Sequence, residues 1–368
     1  KSIVDKTWDK IRNNPLSFIE NFVYIENMDT GEPVLFKMWP AQREVLHKFH
    51  KNRLTVVLKA RQLGLTWLAL SYILWCMLSK PGYRVTALSK KEDDAIELVR
   101  RVKFILQHFP PYLVAEGRLA GSVSYEATVS SITIFHPNGT ESVFKSFTAA
   151  PDSGRSFTSS LVLIDEWAFQ EYAEQIWSAA YPTVNRPTGG KVIGISTGKR
   201  GTFFEKVWNG AVSGENNFTP IFLGWRSDPE RTDEWYEKAQ KDLPNTYMQE
   251  YPSIPDDAFA VGEGAFFPEW DPNIHVIRDP LWYPSGQYSI RGAYDAGFGS
   301  RACFKWYAVF QDGSAVCYRE YYPHQVTDDE QAEEIKRLSV EPTGAREYIS
   351  EIRADPSCWA KQSGSGKS

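Results

Sequence analysis

Two short runs, Leu161–Ile164 (LVLI) and Val192–Ile195 (VIGI), are wholly apolar and show no alternation between an inside and an outside face. A strand of that kind is buried on both faces, which happens when helices cover both sides of a parallel sheet. The segments before them fit the same scheme. Leu54–Leu58 reads as a strand, Thr66–Leu78 as an amphipathic helix, Arg84–Leu88 as a strand and Lys91–His108 as a helix, followed by strand-like Ser131–His136 and Ser142–Phe147. A helix over Trp8–Phe22 precedes them. The first 250 residues are therefore expected to form a doubly wound α/β domain with a mostly parallel sheet.

At 368 residues the chain exceeds one comfortable core, so two domains are expected. Pro252, Pro255, Pro268, Pro272, Pro280 and Pro284 break any regular element, which predicts a linker over 251–284 between domains at 1–250 and 285–368. Residues from about 205 to 250 read as a small lid or linker region of the first domain. The second domain has a different rhythm. Strands are expected at Tyr288–Tyr294, Ala302–Phe310 and Ser314–Tyr322, with Asp312-Gly313 as a hairpin turn. Thr327 and Glu330 form a capping box opening a helix through Leu338, and Tyr348–Ala354 returns as a strand. Three hairpin-linked strands, a crossover helix and a fourth strand are the opening half of an RNase H-like fold.

Composition removes several function classes. The net charge of −5 argues against a surface coated in permanently bound nucleic acid, though it leaves room for a locally basic DNA track. Neither the 6 His nor the 4 Cys cluster at metal-like spacing, and buried free thiols are expected for Cys76, Cys303 and Cys317. The longest apolar run, Trp67–Leu78, is too short to span a bilayer, and KSIVDKTWDK lacks the apolar core of a secretory signal, so a soluble intracellular protein is expected.

The chemistry concentrates after the first buried strand. In VVLKARQLGLTW, Gly64 and Thr66 occupy the last places of a phosphate-binding loop, G-x-x-x-x-G-K-[ST], but Leu65 stands where the lysine belongs. Such a loop works through backbone N–H groups, a helix N-terminus, a lysine and a magnesium-binding hydroxyl. Here Thr66 supplies the hydroxyl, and Lys59 or Arg61 could supply the charge. Arg61 is the first choice, because a planar guanidinium suits bidentate phosphate contact. Asp165 and Glu166 end the apolar strand 99 residues after Thr66. Asp165 is placed to hold Mg2+ and Glu166 to orient an attacking water as general base.

Taken in order, MWPAQREVL, KARQLGLTW, LVLIDEW and VIGISTGKRGTFFEKVW resemble the large terminase subunit of tailed bacteriophages. The resemblance covers nearly the whole chain. It implies a RecA/ASCE-type P-loop ATPase domain followed by an RNase H-like nuclease, together a motor that packages double-stranded DNA and cuts concatemers. By the same resemblance, the cofactors are ATP with Mg2+, and Mg2+ or Mn2+ at the nuclease. The phosphate loop spans Lys59, Arg61, Gln62, Gly64, Leu65 and Thr66. Trp39 and Gln42 match the adenine-reading motif, Ser196 and Thr197 the motif that couples hydrolysis to DNA, and Arg155 a finger acting on a neighbouring subunit's ATP. The implied partners are a portal protein on the procapsid, a small terminase subunit and further copies of this chain in a ring, with a monomer in isolation compatible. No membrane is involved, and the place of action is the host cytoplasm.

Asp295 and Asp355 end the first and fourth strands of the second domain, where neighbouring carboxylates could share a divalent ion. The family carries a further acid beyond the last residue here, so the nuclease domain is expected to be incomplete and to cleave poorly. Lys199, Arg200 and Lys206, and Lys90, Lys91, Arg100, Arg101 and Lys103, are basic groups available to DNA. A helicase-like or remodelling ATPase and a non-catalytic adaptor with a degenerate loop remain as alternatives. The first needs a second RecA-like domain, and the missing lysine invites the second.

Overall fold

The computed structural model describes residues 3–119, 121–149, 158–185, 189–260, 272–277, 279, 282–297 and 301–355. The chain divides into two compact units, 1–268 and 269–368.

The first unit is built on a nine-stranded sheet. Its strands are β3 (Leu54–Lys59), β4 (Arg84–Ser89), β5 (Ala115–Glu116), β6 (Ser124–Ala127), β7 (Ser131–Phe135), β8 (Glu141–Thr148), β9 (Leu161–Asp165), β10 (Lys191–Ser196) and β11 (Thr219–Leu223). A separate hairpin of β1 (Tyr24–Glu26) and β2 (Pro33–Leu35) precedes them. The sheet order is β11-β3-β10-β9-β4-β8-β7-β6-β5. The six strands from β11 to β8 are all parallel, and β7 is antiparallel to both β8 and β6.

Helices α1 (Ile3–Asn13), α2 (Pro15–Phe22), α3 (Pro40–Lys51), α4 (Leu65–Ser79) and α5 (Glu92–Gln107) share one core with one face of the sheet. Helices α6 (Ala173–Val184) and α7 (Phe203–Ser213) share another core with the opposite face. The expected doubly wound arrangement is therefore present. Two local expectations change. The single N-terminal helix is broken at Asn14-Pro15, where the Asn14 side chain accepts the Ser17 N–H at 3.1 Å and starts α2. Helix α4 is not amphipathic: of the residues from Leu65 to Leu78, thirteen are buried and Thr66 alone is not, because α1, α2, α3 and α5 cover the side turned away from the sheet.

Strand β11 was not anticipated, because Pro220 interrupts its pattern. As the edge strand beside β3 it can carry a proline on its unpaired side. Helices α8 (Asp233–Asp242) and α9 (Tyr247–Glu250) follow it. The start of the proline-rich stretch packs on this unit, with Ala258 and Phe259 buried in the α6–α7 core.

In the second unit, β12 (Tyr288–Asp295), β13 (Cys303–Phe310) and β14 (Ala315–Tyr321) form an antiparallel meander. Helix α10 (Asp328–Leu338) leads to β15 (Ile349–Ala354), which lies parallel to β12, giving the order β14-β13-β12-β15. The capping box is present: the Glu330 carboxylate accepts from the Thr327 N–H at 3.0 Å and hydroxyl at 2.7 Å. Cys76 is a buried free thiol as expected, whereas Cys303 is half-buried and Cys317 exposed. Among the described residues no helix is long and apolar enough to cross a membrane.

Candidate functional site

Parallel strands bring their C-terminal ends to one edge of the sheet, and the register aligns three of them. Ser196 lies opposite Leu58, and Ile195 lies opposite Asp165. The loop after β3, the Asp165-Glu166 turn and Ser196 therefore meet at one place. Helix α4 carries the chain from β3 to β4, whereas α7 carries it from β10 to β11 on the opposite side of β3. A crevice at such a reversal is where open α/β sheets bind ligands.

The loop from Ala60 to Thr66 is shaped by two left-handed residues, Gln62 (φ 61°) and Gly64 (φ 68°). Ala60 N–H is used by Leu223 O at 2.8 Å and Arg61 N–H by Glu250 O at 3.0 Å. Among the described residues, the N–H groups of Gln62, Leu63, Gly64, Leu65 and Thr66 take no protein acceptor. Unpaired N–H groups at the start of a fifteen-residue helix form an anion-binding concavity.

The Thr66 hydroxyl donates to Asp165 Oδ1 at 3.3 Å. Asp165 is buried, and its carboxyl is pushed up to about 6, first by burial and then by the neighbouring Glu166 charge; Lys59, Arg101 and the Thr66 hydrogen bond oppose the rise. Glu166 sits in the left-handed region at φ 48°, an unfavourable backbone for a residue with a side chain. The turn that imposes it is held from several sides. Ala168 N–H donates to Ser196 Oγ at 3.0 Å, and Gln170 Nε2 donates to Asp165 O at 2.9 Å and Leu88 O at 3.1 Å. Trp167 is fully buried against Gly194, where an added Cβ would stand 2.5 Å from its ring. Gln170 and Gly194 had no local signal in the sequence, because their role depends on contacts between strands.

The two candidates for the displaced charge are placed differently. Lys59, the last residue of β3, is buried and places its Nζ 3.1 Å from Glu166 Oε1, beside the two acids. Arg61, the first choice from sequence, is paired elsewhere: its side chain is 59% exposed and its Nε lies 2.5 Å from Glu250 Oε2. Leu65 is 1% exposed within the α4 core, so the lysine's usual place is an apolar one here. Trp39 is half-buried at the start of α3, and Gln42 is buried against the loop, its Nε2 donating to Leu63 O at 2.9 Å. Thr197 is buried beyond Ser196. Arg155 lies outside the described residues.

In the second unit Asp295 closes β12, and the Asp355 N–H donates to Tyr294 O at 3.1 Å, so the two aspartates sit at adjacent strand ends. Among the described residues no group of three or more His, Cys, Asp or Glu could hold a metal ion. Of the basic groups, Arg100 pairs with Glu26 and Glu97, and Arg101 pairs with Glu97 and lies over the Trp67 ring, whereas Lys90 and Lys91 are exposed. Lys199, Arg200 and Lys206 are exposed.

Residues 56–270 match the family model described as terminase large subunit, T4likevirus-type, N-terminal. The large terminase of bacteriophage HK97 is similar in structure, with a TM-score of 0.51 at 12% identity over 90% of this chain and 71% of that one. A large terminase from a thermophilic bacteriophage, solved in complex with ADP, gives a TM-score of 0.49 at 16% identity over 87% and 78%. The ATPase domain of the large terminase of Thermus phage P74-26 gives 0.47 at 21% identity over 59% and 93%.

Proposed function

The chain belongs to the terminase large-subunit family, and from that premise we propose that its first unit hydrolyses ATP to drive double-stranded DNA into a viral procapsid. The observation that carries the reading is the meeting of the Thr66 hydroxyl with the Asp165 carboxylate, at 3.3 Å, beside a loop of unpaired N–H groups.

Each residue has a task that follows from its placement. The N–H groups from Gln62 to Thr66 receive phosphate oxygens. Lys59 supplies the positive charge over the outer phosphates, in place of the lysine that Leu65 excludes. Glu166, exposed enough to meet water and held next to Asp165, orients and deprotonates the attacking water. Ser196 ends the strand between the loop and the acids and Thr197 follows it, where a change at the outer phosphate reaches them first. Thr66 and Asp165 form a hard-oxygen donor set that fits Mg2+, which would offset the crowding of Asp165 against Glu166. When bound, Mg2+ supplies charge neutralisation at the outer phosphate oxygens.

For the second unit, we propose a divalent-ion nuclease site at Asp295 and Asp355, which fit Mg2+ or Mn2+ as oxygen donors at adjacent strand ends. This half lies outside the matched residues, and its support is the meander–helix–parallel strand order. The same order weakens the helicase-like alternative, because unit 269–368 holds a mixed four-stranded sheet rather than a second parallel one. A portal protein, a small terminase subunit and further copies of the chain are the partners proposed with this function.

The test is ATP turnover with and without linear duplex DNA, for wild type and Glu166→Gln. The proposal expects DNA-stimulated turnover that falls by roughly 10²- to 10⁴-fold in the variant while nucleotide binding persists. Equal turnover in both proteins would remove Glu166 from the mechanism. No turnover in wild type would favour the adaptor.

A further inference from the structure

Two carbonyl groups of the phosphate loop, those of Arg61 and Leu63, are each held by a buried side chain from a different part of the fold. From α3, Gln42 donates Nε2 to Leu63 O at 2.9 Å while its Oε1 accepts the Trp39 N–H at 2.9 Å. From the segment before α8, Arg231 donates Nη2 to Arg61 O at 2.9 Å. Arg231 is itself fixed. Its side chain is 7% exposed, its guanidinium lies over the rings of Trp235 and Tyr251 at 4.7 and 5.3 Å, and its Nε is 3.2 Å from Asp228 Oδ2. Gln62, between the two held carbonyls, carries one of the left-handed turns, and Gly64, just after the second, carries the other.

The consequence is electrostatic. A peptide unit that presents its N–H inward must present its carbonyl outward, and a donor on that carbonyl, buried at Leu63 and nearer the surface at Arg61, holds the unit in that orientation. Released from that donor, it can rotate toward the loop interior and put negative density where a phosphate must sit. Resting on the nucleotide-site reading above, we propose that Gln42 and Arg231 are positioning residues that hold the phosphate loop open to anions, and that Gln42 does not select the base. Gln42 is 3% exposed, both of its amide heavy atoms are engaged by backbone, and its Nε2 lies so close to the loop that a Cβ at Gly64 would stand 3.0 Å from it. An amide packed there braces the loop rather than facing an adenine edge.

Equilibrium titration with fluorescent N-methylanthraniloyl-ATP and the matching GTP probe tests this on the whole chain with Mg2+. The proteins are wild type, Gln42→Met, Gln42→Glu and Arg231→Met. Gln42→Glu keeps an acceptor for the Trp39 N–H and loses the donor to Leu63, which separates the brace from the helix start. Melting temperatures without nucleotide identify any variant that has not folded. Each folded variant is expected to weaken both probes by about tenfold or more, with the ATP to GTP preference unchanged within about twofold. A loss confined to the ATP probe in the Gln42 variants would show that Gln42 reads the base and overturn the proposal. Unchanged affinity for both probes in the folded variants would overturn it as well. Wild type that binds neither probe would fail the nucleotide-site reading itself, a result distinguishable from the other two.

Discussion

Replacing Lys59 with methionine separates catalysis from folding in a way the geometry makes quantitative. The Lys59 ammonium is buried, with 7% of its side chain exposed, and stands 3.1 Å from Glu166. A unit charge about 4 Å from a phosphate oxygen contributes about 4 kcal/mol at an effective dielectric constant near 20. Loss of one fixed electrostatic stabiliser from an active site commonly costs about 3 kcal/mol or somewhat more. Turnover by Lys59→Met is therefore expected to fall by roughly 10²- to 10³-fold. Stability should respond far less. Glu166 is 31% exposed and can hydrate when its partner leaves, while the methionine stem refills the apolar part of the lysine's place. A melting temperature within a few degrees of wild type is expected. The assay is phosphate release at saturating ATP beside a thermal melt, with Arg61→Ala as the comparison. If Lys59→Met retained a third or more of the wild-type rate while Arg61→Ala lost it, the assignment of the displaced charge would be refuted.

Three further perturbations follow from buried contacts. The Asp165 carboxyl is raised from its ordinary value of 3.8 to about 6, so the folded chain holds a proton that the unfolded chain has released. Its contribution to stability is therefore most favourable below about pH 4 and is lost as pH rises to about 6, a change on the order of 3 kcal/mol. Urea titrations from pH 4 to 8 should show that slope in wild type and a flatter one in Asp165→Asn; identical slopes would contradict it. Lys191 donates to Phe49 O, His50 O and Asn52 O at 2.8, 2.9 and 2.6 Å, closing the end of α3. Lys191→Met should cost about 2 kcal/mol in chemical denaturation, because those carbonyls lose their donor; a loss under about 0.5 kcal/mol would deny it that role. Gly194→Ala drives a methyl to 2.5 Å from the ring of fully buried Trp167 and should destabilise by about 2 to 3 kcal/mol, with turnover falling because Glu166 precedes that ring. A stable, fully active Gly194→Ala would show that the acid turn does not depend on this packing.

The frame of the site was legible because it depends on local pattern. Apolar runs without alternation gave parallel strands, and parallel strands bring the end of β3, Asp165 and Ser196 to one edge, from which a short loop reaches Thr66. The helix boundaries of the second unit were equally readable, since Thr327 and Glu330 announce α10 by themselves. Less legible was what depends on chain segments far apart. Arg61 is expected to carry the charge for the chemistry of its guanidinium; in the structure it pairs with Glu250 of α9, 189 positions away, while Lys59 lies beside Glu166. Strand β11 was hidden because Pro220 opposes a central strand, and only its edge position reconciles the two. Helix α4 is expected to be amphipathic, yet its own run, Trp67–Leu78, has no polar face; such a run marks a helix covered all round, and four other helices cover its outer side.

The account turns on whether Thr66, Asp165 and Lys59 surround a triphosphate and its cation. A crystal structure with Mn2+ and a nonhydrolysable ATP analogue, phased to show the manganese anomalous signal, measures this directly. The account predicts one manganese peak in the first unit, between Thr66 Oγ1 and the Asp165 carboxylate, phosphate oxygens against the N–H groups from Gln62 to Thr66, and Lys59 Nζ on the outer phosphate. Manganese elsewhere in the first unit, or phosphates held by Arg61 with Lys59 still on Glu166, would contradict it.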